Sequence, residues 1–260
     1  VEYGLKFADE ARAVKKPFFL YIAHNAAHFP LQAPDEDIAR WRGKFKAGWD
    51  KLREARYQRQ LAMGLIDKSW PLAPPLPEVP QWASLTPEQQ DRYDHIMAIY
   101  AAVVERMDKS IGTLVAGLRE RGELDNTLIL FMSDNGGNAE AGIPGRLEGD
   151  HPGDAKSTVY VGQCWATLNN TPLVRYKHYT DEGGIATPLI AHWPKEIPAA
   201  RNGNAMLSWT VREAARLKCW NTMPMRRRFA RSSFSDRAES SSPSSQTSPA
   251  SGVSKPAIRR

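Results

Sequence analysis

Cysteine is scarce in this chain. Cys164 and Cys219 are the two among 260 residues, too few for a disulfide framework and at no zinc spacing. They leave the redox compartment open. No apolar run is long enough to span a membrane, and no signal peptide stands at the start. Val1 is not an initiating methionine, however, and residues 1–22 read as the end of a helix leading into a strand. We therefore expect a chain that begins in mid-domain, and the missing signal says nothing of compartment. The body also lacks a charge excess. Residues 1–204 hold 24 Lys+Arg against 26 Asp+Glu, and residues 205–260 hold 11 against 3. The basic balance belongs to the tail, so no nucleic-acid partner is expected for the body.

What is present is a globular composition, 42% hydrophobic, in a chain long enough to bury a substantial core. Its organising stretch is Thr127–Asn138, TLILFMSDNGGN. Five apolar residues, Leu128 to Met132, predict a short strand covered on both faces, as in a parallel sheet. Asp134, Asn135, Gly136 and Gly137 follow at its C-terminal end, where open α/β sheets place ligands. Asp and Asn offer hard oxygen donors and the glycines allow close backbone approach. The same residues also make an ordinary turn.

A second apolar run, Phe18 to Ala23, predicts a buried strand that delivers His24 and His28 at its end. A third strand is expected over Ile185 to Trp193. The spacing predicts helices over 5–14 and 34–68, the latter with a packing stripe of Trp41, Phe45, Trp49 and Leu52. Residues 71–80, with five prolines, predict a stiff extended connector. Thr86, Pro87 and Gln89 form a capping-box start for a helix of about 33 residues ending at Gly122. Its charged residues Glu105, Arg106, Asp108 and Lys109 are expected to face solvent or neighbouring loops. Residues 136–170 read as a long glycine-rich loop. Two features in it fail as sites. Gly149–Ser157 lacks the P-loop order, and Cys164 has no nearby cation to lower its pKa.

A histidine, an Asp-Asn pair and Lys177, beside the Asp181-Glu182-Gly183-Gly184 turn, thus adjoin three predicted strands. If a metal binds, Asp134 and Asn135 fill two or three of the roughly 6–8 oxygen positions calcium takes. No other acidic cluster stands at a strand end, which points to ligands from elsewhere.

Five segments carry a resemblance: PFFLYIAHNAAHFPLQAP (17–34), GWDKLREARYQRQ (48–60), YAAVVERMDKSIG (100–112), LILFMSDNGG (128–137) and WATLNNTPLVRYKHYTDEGGIATPLIAHWP (165–194). In this order they resemble the C-terminal portion of the catalytic domain of an arylsulfatase, in the alkaline-phosphatase-like superfamily. The resemblance implies an α/β fold with a mixed or mostly parallel sheet flanked by helices, incomplete at its N-terminal side. It implies calcium-dependent hydrolysis of sulfate esters, small molecules or glycans, with a formylglycine nucleophile made from a C-x-P-S-R-like motif. By motif, Asp134 and Asn135 would be metal ligands. His28 would bind the sulfate and act as general acid, and Lys177 would bind the sulfate and offset its charge. Such proteins would be periplasmic, secreted or lysosomal.

The departures are specific. There is no C-x-P-S-R motif, and around Cys164 an alanine and a leucine replace its proline and arginine. Paired aspartates upstream are absent, so residues 1–204 are expected to be a partial catalytic domain, inactive alone. The resemblance is expected to stop near Arg201. The tail, 205–260, is Arg-rich and then carries 11 serines in 232–254. It reads either as a disordered basic arm for anionic partners or as a frameshift product, and the abrupt loss of pattern inside a fold favours the latter. Two alternatives remain: a phosphate or phosphonate monoester hydrolase of the same superfamily, and a non-enzymatic remnant binding anions through its tail.

Overall fold

A 34-residue helix forms the spine of the structure. The computed structural model describes residues 1–197 and the strand backbone at 206–207. These residues belong to a unit spanning Val1–Thr222, whereas a second, Met223–Arg260, lies outside the described residues. The expected boundary at 204 and the basic tail fall outside them too.

The chain opens with α1 (Glu2–Ala13), then α2 (Asp35–Trp41) and α3 (Gly48–Ala62). The spine, α4 (Pro87–Glu120), starts with the predicted capping box: Gln89 N–H donates to Thr86, whose own N–H donates to the Gln89 side chain. Gly122, at φ 69°, lets the chain turn away. At 1.5 Å per residue, α4 is a rod of about 50 Å. Its N-terminal half buries Tyr93, Ile96, Met97, Ile99, Ala102 and Val103.

The predicted helix over 34–68 is in fact two helices, because Gly43 and Gly48 take left-handed φ values of 81° and 79°. Buried Asp94 of α4 captures the bend, accepting from the backbone N–H of Gly43 and Phe45 and pairing with Arg42. The aromatic stripe therefore folds inward. Trp49 meets Trp82, Tyr93 and Trp165 edge-on at 4.8, 4.9 and 5.3 Å between ring centroids. Such edge-to-face contacts suit the ring quadrupoles. The charged residues of α4 also do more than meet solvent: Glu105 accepts from Trp41 Nε1 at 2.7 Å, and Arg106 pairs with buried Asp37 of α2.

The strands are β1 (Ile129–Met132), β2 (Arg146–Glu148), β3 (Thr158–Tyr160), β4 (Thr187–His192) and β5 (Met206–Leu207). β1 and β4 run as predicted, within two residues at each end. Their pairing differs from the expected mixed or mostly parallel sheet. Among the described residues β1–β4, β4–β5 and β2–β3 are all antiparallel. The chain returns from β1 to β4 running the opposite way, so no right-handed crossover is imposed. Nor is β1 covered on both faces, since its residues alternate between half-buried and exposed.

The predicted strand at 18–23 is extended but unpaired. Phe18, Leu20 and Ile22 are half-buried and Phe19, Tyr21 and Ala23 exposed. Leu20 and Ile22 lie over Gly4 of α1. The period-2 alternation is there, and without a neighbouring strand among the described residues it makes no ladder. The expected irregular loop at 136–170 is better ordered than predicted. It holds the β2–β3 hairpin and α5 (Gly162–Asn169), which buries Cys164, Trp165 and Leu168. A last short helix, α6 (Glu182–Ile185), precedes β4.

Candidate functional site

Three loops meet at the candidate site, each held by the core behind it. The first, 24–34, is pinned by buried Leu31, whose N–H donates to Val159 of β3 at 2.9 Å. Phe29 stacks on Tyr160 with centroids 4.4 Å apart. Exposed His28 directly precedes these anchors. Its Nδ1 is 2.9 Å from the Phe29 carbonyl oxygen. A carbonyl accepts and never donates, so Nδ1 carries the proton, and in the neutral ring Nε2 presents its lone pair.

The second loop is the run Asp134–Gly137 past β1, where the sequence predicts it. It interlocks with the third, the segment 170–184. Gly136 N–H donates to the Gly184 carbonyl at 3.0 Å, and Lys177 N–H donates to the Gly137 carbonyl at 3.1 Å. A Cβ on Gly136 would lie 1.7 Å from the Gly183 oxygen, and one on Gly184 would lie 2.0 Å from the Tyr179 oxygen. Gly136 and Gly184, one from each Gly-Gly pair, are therefore needed for backbone approach. Asn170 knits the seam. Its Oδ1 accepts from Gly137 N–H at 2.9 Å, and its Nδ2 donates to the carbonyls of Arg175 and Gly183 at 2.8 and 2.9 Å.

This framework brings His28 and Lys177, 149 residues apart, to 3.2 Å between Nε2 and Nζ. The ammonium donates to the Nε2 lone pair. It also lies 3.2 Å from Glu140 Oε1, which accepts from His178 Nε2 at 3.1 Å as well. Burial raises the Glu140 carboxyl, but hydrogen bonds from its own backbone, Lys177 and His178 outweigh it and hold it below the usual carboxylate range. Glu140, His178 and Asn170 escaped the sequence reading. Glu140 shares no periodic spacing with Lys177, so nothing local marks it.

Asp134 is exposed and Asn135 half-buried, side by side at the end of β1. Their oxygen donors suit a hard cation such as calcium in kind. In number they fall short, because among the described residues no group of three or more His, Cys, Asp or Glu could hold a metal. Arg175, the other cation of the third loop, is engaged by Asp181 at 3.6 Å and lies over the Tyr179 ring. Both rejected features prove structural. Gly149–Ser157 caps the β2–β3 hairpin, with Gly153 N–H donating to Ser157 Oγ at 2.8 Å. Cys164 is buried beside Tyr93, and desolvation pushes its thiol up to about 11, the reverse of an activated nucleophile.

The chain is 36% identical over 196 residues to an arylsulfatase of Klebsiella aerogenes, a match covering 71% of this chain and 42% of that protein. It is 36% identical over 212 residues to an uncharacterised sulfatase of Schizosaccharomyces pombe, covering 75% and 38%. The crystal structure of Ps i-CgsB is similar at 29% identity and a TM-score of 0.42, over 76% of this chain and 28% of that one. The chain thus spans about two fifths of the length of these two curated relatives. The sequence model of the sulfatase family matches residues 2–213, past the point where the resemblance was expected to stop. With that span, and with these two relatives, the chain belongs to the sulfatase family.

Proposed function

We propose that these residues form part of the active site of a sulfuric ester hydrolase acting on aryl or glycan sulfate esters. The observation that carries the reading is the 3.2 Å approach of Lys177 Nζ to His28 Nε2, on a loop bonded directly to the turn that follows Asp134 and Asn135. An ammonium and an imidazole held together on the backbone offer hydrogen-bonding groups to a sulfate and its transition-state charge.

Lys177 binds a non-bridging sulfate oxygen and offsets its charge. His28 accepts from Lys177 through Nε2 in this arrangement. Once Nε2 has taken a proton from solvent, a sulfate oxygen between the two accepts hydrogen bonds from both. His28 then passes the Nε2 proton to the departing ester oxygen, so the alcohol leaves neutral. Asp134 and Asn135 would hold a calcium ion together with ligands from outside the described residues, and that ion would polarise the sulfate. The nucleophile, a formylglycine by family resemblance, belongs to a segment that these 260 residues do not contain. By this reading the 260 residues alone hydrolyse no sulfate ester.

The test is steady-state kinetics of the complete gene product on matched aryl sulfate and aryl phosphate esters. Sulfate should be the faster substrate, and His28→Ala and Lys177→Ala should each lower kcat/KM by about 10²-fold or more. Faster turnover of phosphate would favour a phosphate or phosphonate monoesterase. Unimpaired variants would sink the site assignment. Salt-sensitive binding to heparin, lost on deleting 205–260 while no ester is cleaved, would favour a non-enzymatic anion binder.

A further inference from the structure

Glu140 has an unusual bonding pattern for a carboxylate that is largely buried. Its Oε1 serves two donors, Lys177 and His178, while its Oε2 is buried with no hydrogen-bond partner among the described residues. A clasp serving the fold alone would satisfy both oxygens, because a buried acceptor left without a donor is destabilising. The backbone is bent toward the same carboxylate. Neighbouring side chains on an extended chain point to opposite sides, yet Lys177 and His178 both reach Glu140. His178, at φ +78°, makes that turn possible in a conformation that non-glycine residues seldom adopt.

The ammonium of Lys177 completes the geometry. It has three N–H donors. Glu140 Oε1 and His28 Nε2, each at 3.2 Å, take two of them. One remains for a ligand, on a side chain that keeps partial exposure. A lysine stem otherwise samples many rotamers, and holding it in one opposes that freedom.

Resting on the sulfate-ester reading above, we propose that Glu140 is a positioning residue: it holds the Lys177 ammonium against His28 so that a single N–H is aimed at the substrate's sulfate group. Glu140 itself need not touch substrate. Its effect runs through Lys177, and that gives it a distinctive signature. Removing its negative charge leaves the anion pocket more positive, so affinity for a sulfate is kept or improved while the aim of the ammonium is lost.

The experiment compares Glu140→Gln, Lys177→Ala and the double variant of the complete enzyme. Glu140→Gln should lower kcat by about 10–100-fold, the scale of a misplaced catalytic group. KM and the Kd of inorganic sulfate, read by calorimetry, should stay within about two-fold or fall. In the Lys177→Ala background Glu140→Gln should cost nothing further, since the two act as one unit. Full kcat in Glu140→Gln, joint loss of kcat and sulfate affinity, or an equal further loss in the double variant would overturn the proposal. Should Glu140→Gln fail to fold, Glu140→Asp takes its place: it keeps the charge but retracts it, and an undiminished kcat there would overturn the proposal equally. Lys177→Ala at wild-type activity would instead sink the parent reading. Impairment in Lys177→Ala with an unaffected Glu140→Gln sinks the positioning role alone.

Discussion

The side chain of Asn170 joins Gly137 to Arg175 and Gly183 through three hydrogen bonds. Asn170→Ala leaves one N–H and two carbonyls unpaired on residues that are half-buried (Gly137, Arg175) or buried (Gly183), so it should destabilise the protein by about 2–3 kcal/mol in urea denaturation. A loss below about 0.5 kcal/mol would mean that the loops are held elsewhere. Gly136→Ala drives a methyl into the Gly183 carbonyl. It should destabilise by about 1–3 kcal/mol and also displace Lys177, which hangs from Gly137. His28, Asp134, Asn135 and Lys177 were legible as residue types beside predicted strands. Glu140 was not, because its role comes from a loop crossing that no local spacing encodes.

α4 shows the opposite balance, since its start, stop and buried stripe are all local signals. Thr86→Ala should cost about 1 kcal/mol of stability through loss of the cap, visible as a lowered melting temperature with unchanged fold. The clasp between α4 and α2 has a pH signature. Hydrogen bonds from Lys109 and then Trp41 hold the Glu105 carboxyl down to about 2. The folded value thus lies below the unfolded one, so the stabilisation is fully present above about pH 5 and disappears as pH falls toward about 2. Glu105→Gln should therefore melt below wild type near neutral pH and converge with it in acid. A gap that stays constant across that range would refute the assignment. The 34–68 stretch was harder to read. Its apolar spacing mimics one helix, and the break depends on Asp94, about 50 residues away, capturing the Gly43 bend.

On the scale of the described residues taken together, large apolar groups face solvent: Phe19 is 90%, Tyr21 84% and Ile190 60% exposed. Together with an extended segment at 18–23 that pairs with no strand among the described residues, these exposed apolar groups favour association. A fragment comprising residues 1–204 should therefore associate in a concentration-dependent way in light scattering. Phe19→Lys with Ile190→Lys should reduce that association, and monomeric behaviour of the unaltered fragment would refute the expectation. No helix among the described residues is long and apolar enough to cross a membrane. By itself the sequence determined the long helix, the positions of β1 and β4, the Asp134–Gly137 turn past β1 and the family, because each rests on contiguous residues whose spacing carries the signal. Only the tertiary structure decided that the described strands pair antiparallel, that 18–23 stays unpaired, that Trp165 belongs to the core, and that Glu140 stands between Lys177 and His178. Strand direction and side-chain convergence depend on which distant segments meet. That is a property of packing, and no local pattern specifies it.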